Sequence, residues 1–213
     1  MNKGISVIVL LCLIIPVVGQ QRVDLAKALQ DQKIGAMNRT LSLYVKDPGA
    51  VEMNAAAGDG LAVLQDLSFE SGTIEIDLQG ENNPGRSFIG IAFNVVDEDT
   101  YEAIYFRPFN FVATQALNKS HMVQYICHPD YTWNRLREER TGEFENEIPD
   151  PPGPDGWFRA IIKVSEKSVA VYLEEKAQPV LEVERLTSGK SDKIALWVGN
   201  GSSGRFRNLV LNK

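Results

Sequence analysis

Between Ser87 and Phe111 the chain reads SFIGIAFNVVDEDTYEAIYFRPFNF, two runs of alternating apolar positions on either side of an acidic turn. Successive side chains of a strand point to opposite faces. Each run can therefore bury one face and offer the other to water or to a ligand. Phe88–Val95 and Tyr101–Phe106 are expected to form an antiparallel hairpin, with Asp97-Glu98-Asp99-Thr100 as its turn. The second run carries polar cargo, Glu102 inside it and Arg107 and Asn110 at its end. That is the chemistry of a polar-ligand site mounted on a sheet.

The same pattern continues along the chain. Strands are expected over Leu41–Val45, Val51–Ala55, Gly60–Leu64, Ser68–Leu78, Met122–Cys127, Trp157–Val164, Ser168–Leu173, Val180–Glu184, Lys193–Val198 and Arg205–Leu211. Gly, Pro, Asn and Asp punctuate the gaps, as at Asp47-Pro48-Gly49, Gly58-Asp59-Gly60 and Asn83-Pro84-Gly85. About twelve short strands separated by turns predict an all-β fold, an antiparallel two-sheet β-sandwich of the jelly-roll kind. Within Gln21–Met37, Val23, Leu25, Ala26 and Leu29 fall near helical spacing and predict one short N-terminal helix. There is no internal repeat.

Residues 1–19 read as a signal peptide. Lys3 supplies the positive start, Ile5 to Val18 is apolar apart from Ser6, Cys12 and Pro16, and Val17-Val18-Gly19 offers a cleavage site before Gln20. The apolar run falls short of the roughly 20 residues that a membrane span needs. Leu11 stands where a lipoprotein signal wants a small residue before Cys12, so a lipid anchor is the weaker alternative. The expected location is secreted or periplasmic, with residues 20–213 as a single domain and no membrane association after cleavage. Loss of Lys3 leaves 21 Lys and Arg against 28 Asp and Glu. No basic block remains, which argues against a nucleic-acid partner. Cys127 alone remains of the cysteines, so no internal disulfide forms, as suits an exported bacterial protein.

One gap breaks the rhythm of short turns. His128 to Gly156, HPDYTWNRLREERTGEFENEIPDPPGPDG, carries no strand pattern. Structureless loops beyond about 12–15 residues are uncommon and are often functional. A shorter departure covers Asn110–His121. Both adjoin the strand end that carries Arg107. The polar and aromatic residues near these loops suit a sugar, which presents hydroxyls to forked polar groups and C–H faces to aromatic rings. Trp133 and Tyr125 are the candidate stacking platforms, and Arg107, Asn110, Gln124, His128 and Arg137 the candidate polar partners. Strand alternation puts Tyr101, Tyr105 and Arg107 on one face and Glu102 on the other. It likewise separates Gln124 from Tyr125.

Other constellations have simpler explanations. Glu75 and Asp77 share a strand face and resemble part of the Glu-x-Asp-x-Glu motif of laminarinase-type hydrolases. Gln79 and Gly80, however, stand where the last glutamate belongs. Asp97-Glu98-Asp99 offers hard oxygen ligands of the kind calcium takes, yet an acidic hairpin turn explains the same letters. His121, Cys127 and His128 lack paired zinc spacing. No metal or other cofactor is expected.

From Thr73 onward the chain resembles the concanavalin A-like lectin/glucanase superfamily, in particular exported bacterial proteins of the laminin-G-like and 3-keto-disaccharide hydrolase-like kind. The resemblance rests on Gly72-Thr-Ile-Glu-Ile-Asp77, Phe88–Phe93, Tyr101–Asn110, Trp157-Phe158, Leu196–Asn200 and the closing Gly204–Leu211. It implies a curved jelly roll whose concave face or rim takes carbohydrate, and it hands over no catalytic residue. Three functions follow as expectations. The first is a secreted carbohydrate-binding module with its sugar on the concave face and the 128–156 loop. The second is a glycoside hydrolase-like enzyme with Glu102, Glu143 or Glu145 as acid or base. The third is a non-catalytic structural or protein-interaction module.

Overall fold

The structure is a computed structural model that describes residues 19–174, 176–186 and 190–213. The signal peptide expected over residues 1–19 lies, save Gly19, outside the described residues. In chain order the strands begin with β1 (Gln20–Val23), β2 (Ile34–Met37), β3 (Leu41–Leu43), β4 (Val51–Met53) and β5 (Gly60–Leu64). Next come β6 (Gly72–Gln79), β7 (Ile89–Phe93), β8 (Tyr101–Phe106), β9 (Val123–His128) and β10 (Glu145–Asn146). The series ends with β11 (Phe158–Val164), β12 (Ser168–Leu173), β13 (Leu181–Glu184), β14 (Ile194–Val198) and β15 (Gly204–Asn212). Among the described residues the α-helices are short, α1 (Leu25–Gln30), α2 (Ala116–Lys119) and α3 (Trp133–Glu139), and a 3-10 turn covers Pro108–Asn110.

These strands make two antiparallel sheets. One has the order β13-β12-β11-β6-β15-β4-β3, with β1 also paired to β15, and the other β10-β9-β8-β7-β14-β5-β2. The sheets face each other through the apolar alternates of their central strands. Ile74, Ile76 and Leu78 come from β6, Ile89 and Ile91 from β7, Ile104 and Phe106 from β8, and Leu196 and Val198 from β14. All of these are fully buried. Phe106 meets Phe158 edge-on across the sandwich with ring centroids 5.2 Å apart, and Phe111 meets the same ring at 5.5 Å. Each such pair adds about 0.5–1.5 kcal/mol beyond the area it buries. Alternation then turns Tyr101, Tyr105 and Arg107 to the outer face of the second sheet.

The hairpin expected at Phe88–Phe106 forms in register, Ile89 opposite Phe106 and Phe93 opposite Glu102. Two other stretches differ from their sequence-based reading. Gln21–Met37 holds α1, capped by Asp24 accepting from the Lys27 amide at 2.9 Å, but strands flank it on both sides. β1 pairs with β15 and β2 with β5, so free sheet edges override weak helical spacing. The 128–156 segment is not structureless. It contains α3, which buries Leu136, and the two-residue strand β10, which is too short for any period to be read.

A fully buried carboxylate ties the two sheets together. Glu102 points inward, 0% exposed, and takes the guanidinium of Arg185 at 2.5 and 3.0 Å. The Tyr125 hydroxyl donates to it at 2.6 Å and the Asn94 amide at 2.9 Å. Burial, and then Glu102, push the Tyr125 phenol well above its ordinary range, so it stays a donor. Removing one partner of a buried ion pair strands the other charge. Glu102→Ala is expected to lower unfolding free energy by about 3–5 kcal/mol in urea denaturation. Pairing it with Arg185→Met should recover a large part of that loss. A cost below about 1 kcal/mol for Glu102→Ala alone would contradict this account.

Candidate functional site

The outer face of the second sheet carries a depression of about 410 Å³. Its floor follows from strand register. Tyr105 on β8 stands opposite Gly90 on β7, which stands opposite Trp197 on β14. Glycine between the two aromatics leaves room for their rings to meet, with centroids 4.9 Å apart. A Cβ at Gly90 would lie 2.0 Å from the Ile104 carbonyl oxygen, so the strand tolerates no side chain there. Phe88 and Phe109 meet edge-on at 5.5 Å and extend the apolar wall.

Polar groups cluster at two ends of this floor. At one end Arg107, 5% exposed, donates from Nη2 to the Tyr105 hydroxyl at 2.7 Å and to Gln124 Oε1 at 2.5 Å. Its Nη1 donates to the His121 carbonyl at 2.9 Å. The Tyr105 hydroxyl in turn donates to Gln124 Oε1 at 2.8 Å, and burial pushes that phenol up to about 12. Asn110 Nδ2 also reaches the His121 carbonyl, at 3.1 Å. Arg137 on α3 forks onto both oxygens of Glu145 on β10, at 2.9 and 2.6 Å. Trp133, 49% exposed, opens α3 at the rim, with the Arg137 guanidinium 5.2 Å from its ring centre. The other end is built around Asp59. It accepts from the Tyr101 hydroxyl at 2.8 Å, which accepts from Trp197 Nε1 at 3.2 Å, and the His128 ring stacks on Tyr101 at 4.9 Å.

Of the residues expected from sequence, Arg107, Asn110, His128, Trp133 and Arg137 line this depression together. Gln124 lies beneath it, fully buried, and anchors the site from below. Tyr125 faces the sandwich interior, where it donates to Glu102, so it offers no stacking platform here. Glu102 is walled off on that same inner face. Glu143 is exposed and bonded to Arg140 at 2.6 Å, while Glu145 is clamped behind Arg137. Glu75 and Asp77 belong to the outer face of the other sheet, with Asp77 held by Arg159 at 2.8 Å and Asn208 at 2.7 Å. In the Asp97–Asp99 turn, the Asp99 amide bonds the Asp97 carboxylate at 3.0 Å. Among the described residues no group of three or more His, Cys, Asp or Glu is placed to hold a metal ion.

Sequence reasoning missed Trp197, Asp59, Phe88, Phe109 and Asn118, which also line the depression. Trp197 joins Tyr105 through a β7–β14 pairing of residues far apart in the chain, which local alternation does not reveal. In sequence His121 reads only as a weak metal ligand. Its Nδ1 lies 2.8 Å from Glu145 Oε2, off the line of a hydrogen bond.

Gln124→Leu removes the acceptor shared by a buried guanidinium and a buried phenol, and is expected to cost about 3 kcal/mol in chemical denaturation. Burial lowers the proton affinity of both His121 and His128 from the ordinary value of 6.5. The unfolded chain then binds more protons than the folded one once pH falls through 6.5. Stability should drop as pH is lowered from about 7.5 to 5.5. That drop should shrink in a His121→Gln/His128→Gln variant; an unchanged pH slope would assign it to other groups.

No family model matches the chain, and no curated protein matches it. Solved structures do. The carbohydrate binding module CBM66 from Bacillus subtilis superposes with a TM-score of 0.58 at 13% identity, over 84% of this chain and 96% of that one. The β-glucanase of Bacillus licheniformis gives 0.53 at 13% identity, over 91% and 92%. The metal-free carbohydrate recognition domain of Emp46p gives 0.55 at 9% identity, over 87% and 90%. At these identities the likeness is one of fold. Two antiparallel sheets in this arrangement, superposing on such proteins along nearly their whole length, give this chain a concanavalin A-like jelly-roll β-sandwich fold.

Proposed function

We propose that this chain is a carbohydrate-binding module whose sugar occupies the depression over Tyr105 and Trp197. The observation that carries this reading is the composition of the lining. An aromatic floor and an exposed Trp133 suit the C–H face of a sugar ring. Arg107, Arg137, Asn110, Asn118, His128 and Asp59 offer donors and acceptors to hydroxyls around it. The volume of about 410 Å³ falls within the range of small-molecule sites and accommodates a short oligosaccharide segment. Fold neighbours that include a carbohydrate binding module and a carbohydrate recognition domain support the same reading at the level of architecture. The apolar leader of Ile5–Val18 supports export, which would bring the module to periplasmic or extracellular glycans.

Binding without hydrolysis is favoured over a glycosidase. Glycoside hydrolysis of the usual kind needs two carboxyl groups flanking the bond, about 5–5.5 Å apart for retention or 6.5–9.5 Å for inversion. Among the described residues lining the depression, Asp59 is the one carboxylate. Glu145 stands behind Arg137 with both oxygens engaged, and Glu102 faces the opposite side of its sheet.

A panel of oligosaccharides, followed by thermal shift and by release of new reducing ends, tests the proposal. A shift without cleavage is expected for at least one glycan. Trp133→Ala, at a half-exposed position on the rim, should weaken that binding by about ten-fold or more. Cleavage would select the hydrolase, and silence across the panel would reject a carbohydrate role.

A further inference from the structure

Arg137 has an unused edge. A guanidinium carries five N–H donors in a rigid fork and can take one carboxylate on each of two edges. Its Nε and Nη2 are engaged by the two oxygens of Glu145. Neither proton of Nη1 meets an acceptor among the described residues, and the side chain, 30% exposed, lines the depression.

The charge around this edge is unbalanced. Arg107 and Arg137 both face Glu145, the former with Nη1 3.8 Å from Oε2. Arg107 otherwise bonds only neutral acceptors, the His121 carbonyl, the Tyr105 hydroxyl and the Gln124 amide. Two guanidiniums thus share one carboxylate, and the His121 ring lies beside it with Nδ1 2.8 Å from the same oxygen. The nearby Lys119–Glu147 pair, 3.7 Å apart, balances itself, and Asp59 sits at the opposite end of the floor. Burial pulls Arg107 below the usual arginine range; Arg137 adds to that shift, while Tyr105 and Glu145 oppose it. Burial likewise lowers His121, with Glu145 opposing and both arginines reinforcing the shift.

We propose that the ligand is a glycan bearing a uronate, and that its carboxylate docks on the open Nη1–Nη2 edge of Arg137 with Arg107 behind it as a second positive charge. This rests on the carbohydrate reading above and narrows it to acidic sugars. The sugar ring then lies over the Tyr105–Trp197 floor, with its far hydroxyls toward Asp59 and His128. A sulfate ester can meet the same fork through two of its oxygens, so the titration must separate it from a carboxylate.

Calorimetric titration of the protein with galacturonate, glucuronate and mannuronate oligomers, each beside its neutral counterpart and a sulfated galactan, tests this. At least one uronate oligomer is expected to bind about ten-fold more tightly than its neutral partner. The gap should close in Arg137→Gln and narrow as salt rises from about 50 to 500 mM. Arg137→Lys, which keeps the charge and loses the fork, should fall between. Arg159→Gln on the other sheet should leave the gap intact, and thermal midpoints of all variants would show that each is folded. Neutral oligomers binding as well as uronates would overturn the inference while leaving the carbohydrate reading in place. Sulfated galactan binding as tightly as the best uronate would overturn the carboxylate assignment. Silence with every glycan would remove both the inference and the reading beneath it.

Discussion

The pairing of β8 with β9, Tyr105 opposite Gln124, is the constraint on which the rest of the molecule rests. Because side chains alternate along a strand, a slip of one residue would exchange the two faces of β9. Gln124 would turn into the apolar interior, and Tyr125 would turn outward, away from Glu102. In the observed register one amide oxygen receives both Arg107 and the Tyr105 hydroxyl, while Gln124 Nε2 reaches the Trp133 carbonyl at 3.4 Å. The side chain thereby joins β8, β9 and the start of α3, and the geometry of the depression follows from that junction.

The same register sets two glutamates to different work. Glu102 and Glu145 are both buried and both bound to arginine. Glu102 sits between the sheets, where the Arg185 guanidinium, a phenol and an amide leave its charge fully compensated. Glu145 sits on the edge strand β10 behind the outer face, where it orients Arg137 toward the depression. Desolvation makes either ion pair a weak source of net stability. Their value lies in position, one holding two sheets together and the other aiming a guanidinium.

Much of this architecture was legible in the sequence because alternation and turn residues are local signals. The observed limits of β5, β8 and β12 coincide with those read from the alternating pattern, and the other expected strands differ mainly at their ends. The opposite facing of Glu102 and Arg107 was likewise readable, since it depends on parity alone. What escaped was whatever depends on partners distant in the chain. β1 and β2 looked helical because their pairing edges come from β15 and β5. Tyr125 looked like a platform because an aromatic near a loop does not announce which face it takes. Trp197 and Asp59 entered the site only through cross-strand neighbours.

Arg39, far from the aromatic floor in sequence, spans two turns at its margin. One Nη2 donates to the carbonyls of Gly58, at 2.6 Å, and Gly199, at 3.0 Å. The Gly58 amide meanwhile bonds the Asn200 side chain at 2.8 Å. Gly60 accommodates this strut, since a Cβ there would fall 2.2 Å from the arginine Cγ. Asp59 and Asn200 therefore ride on segments yoked by a single cation. The spacing of these two segments at the margin of the depression is thus held by a side chain that does not itself line it.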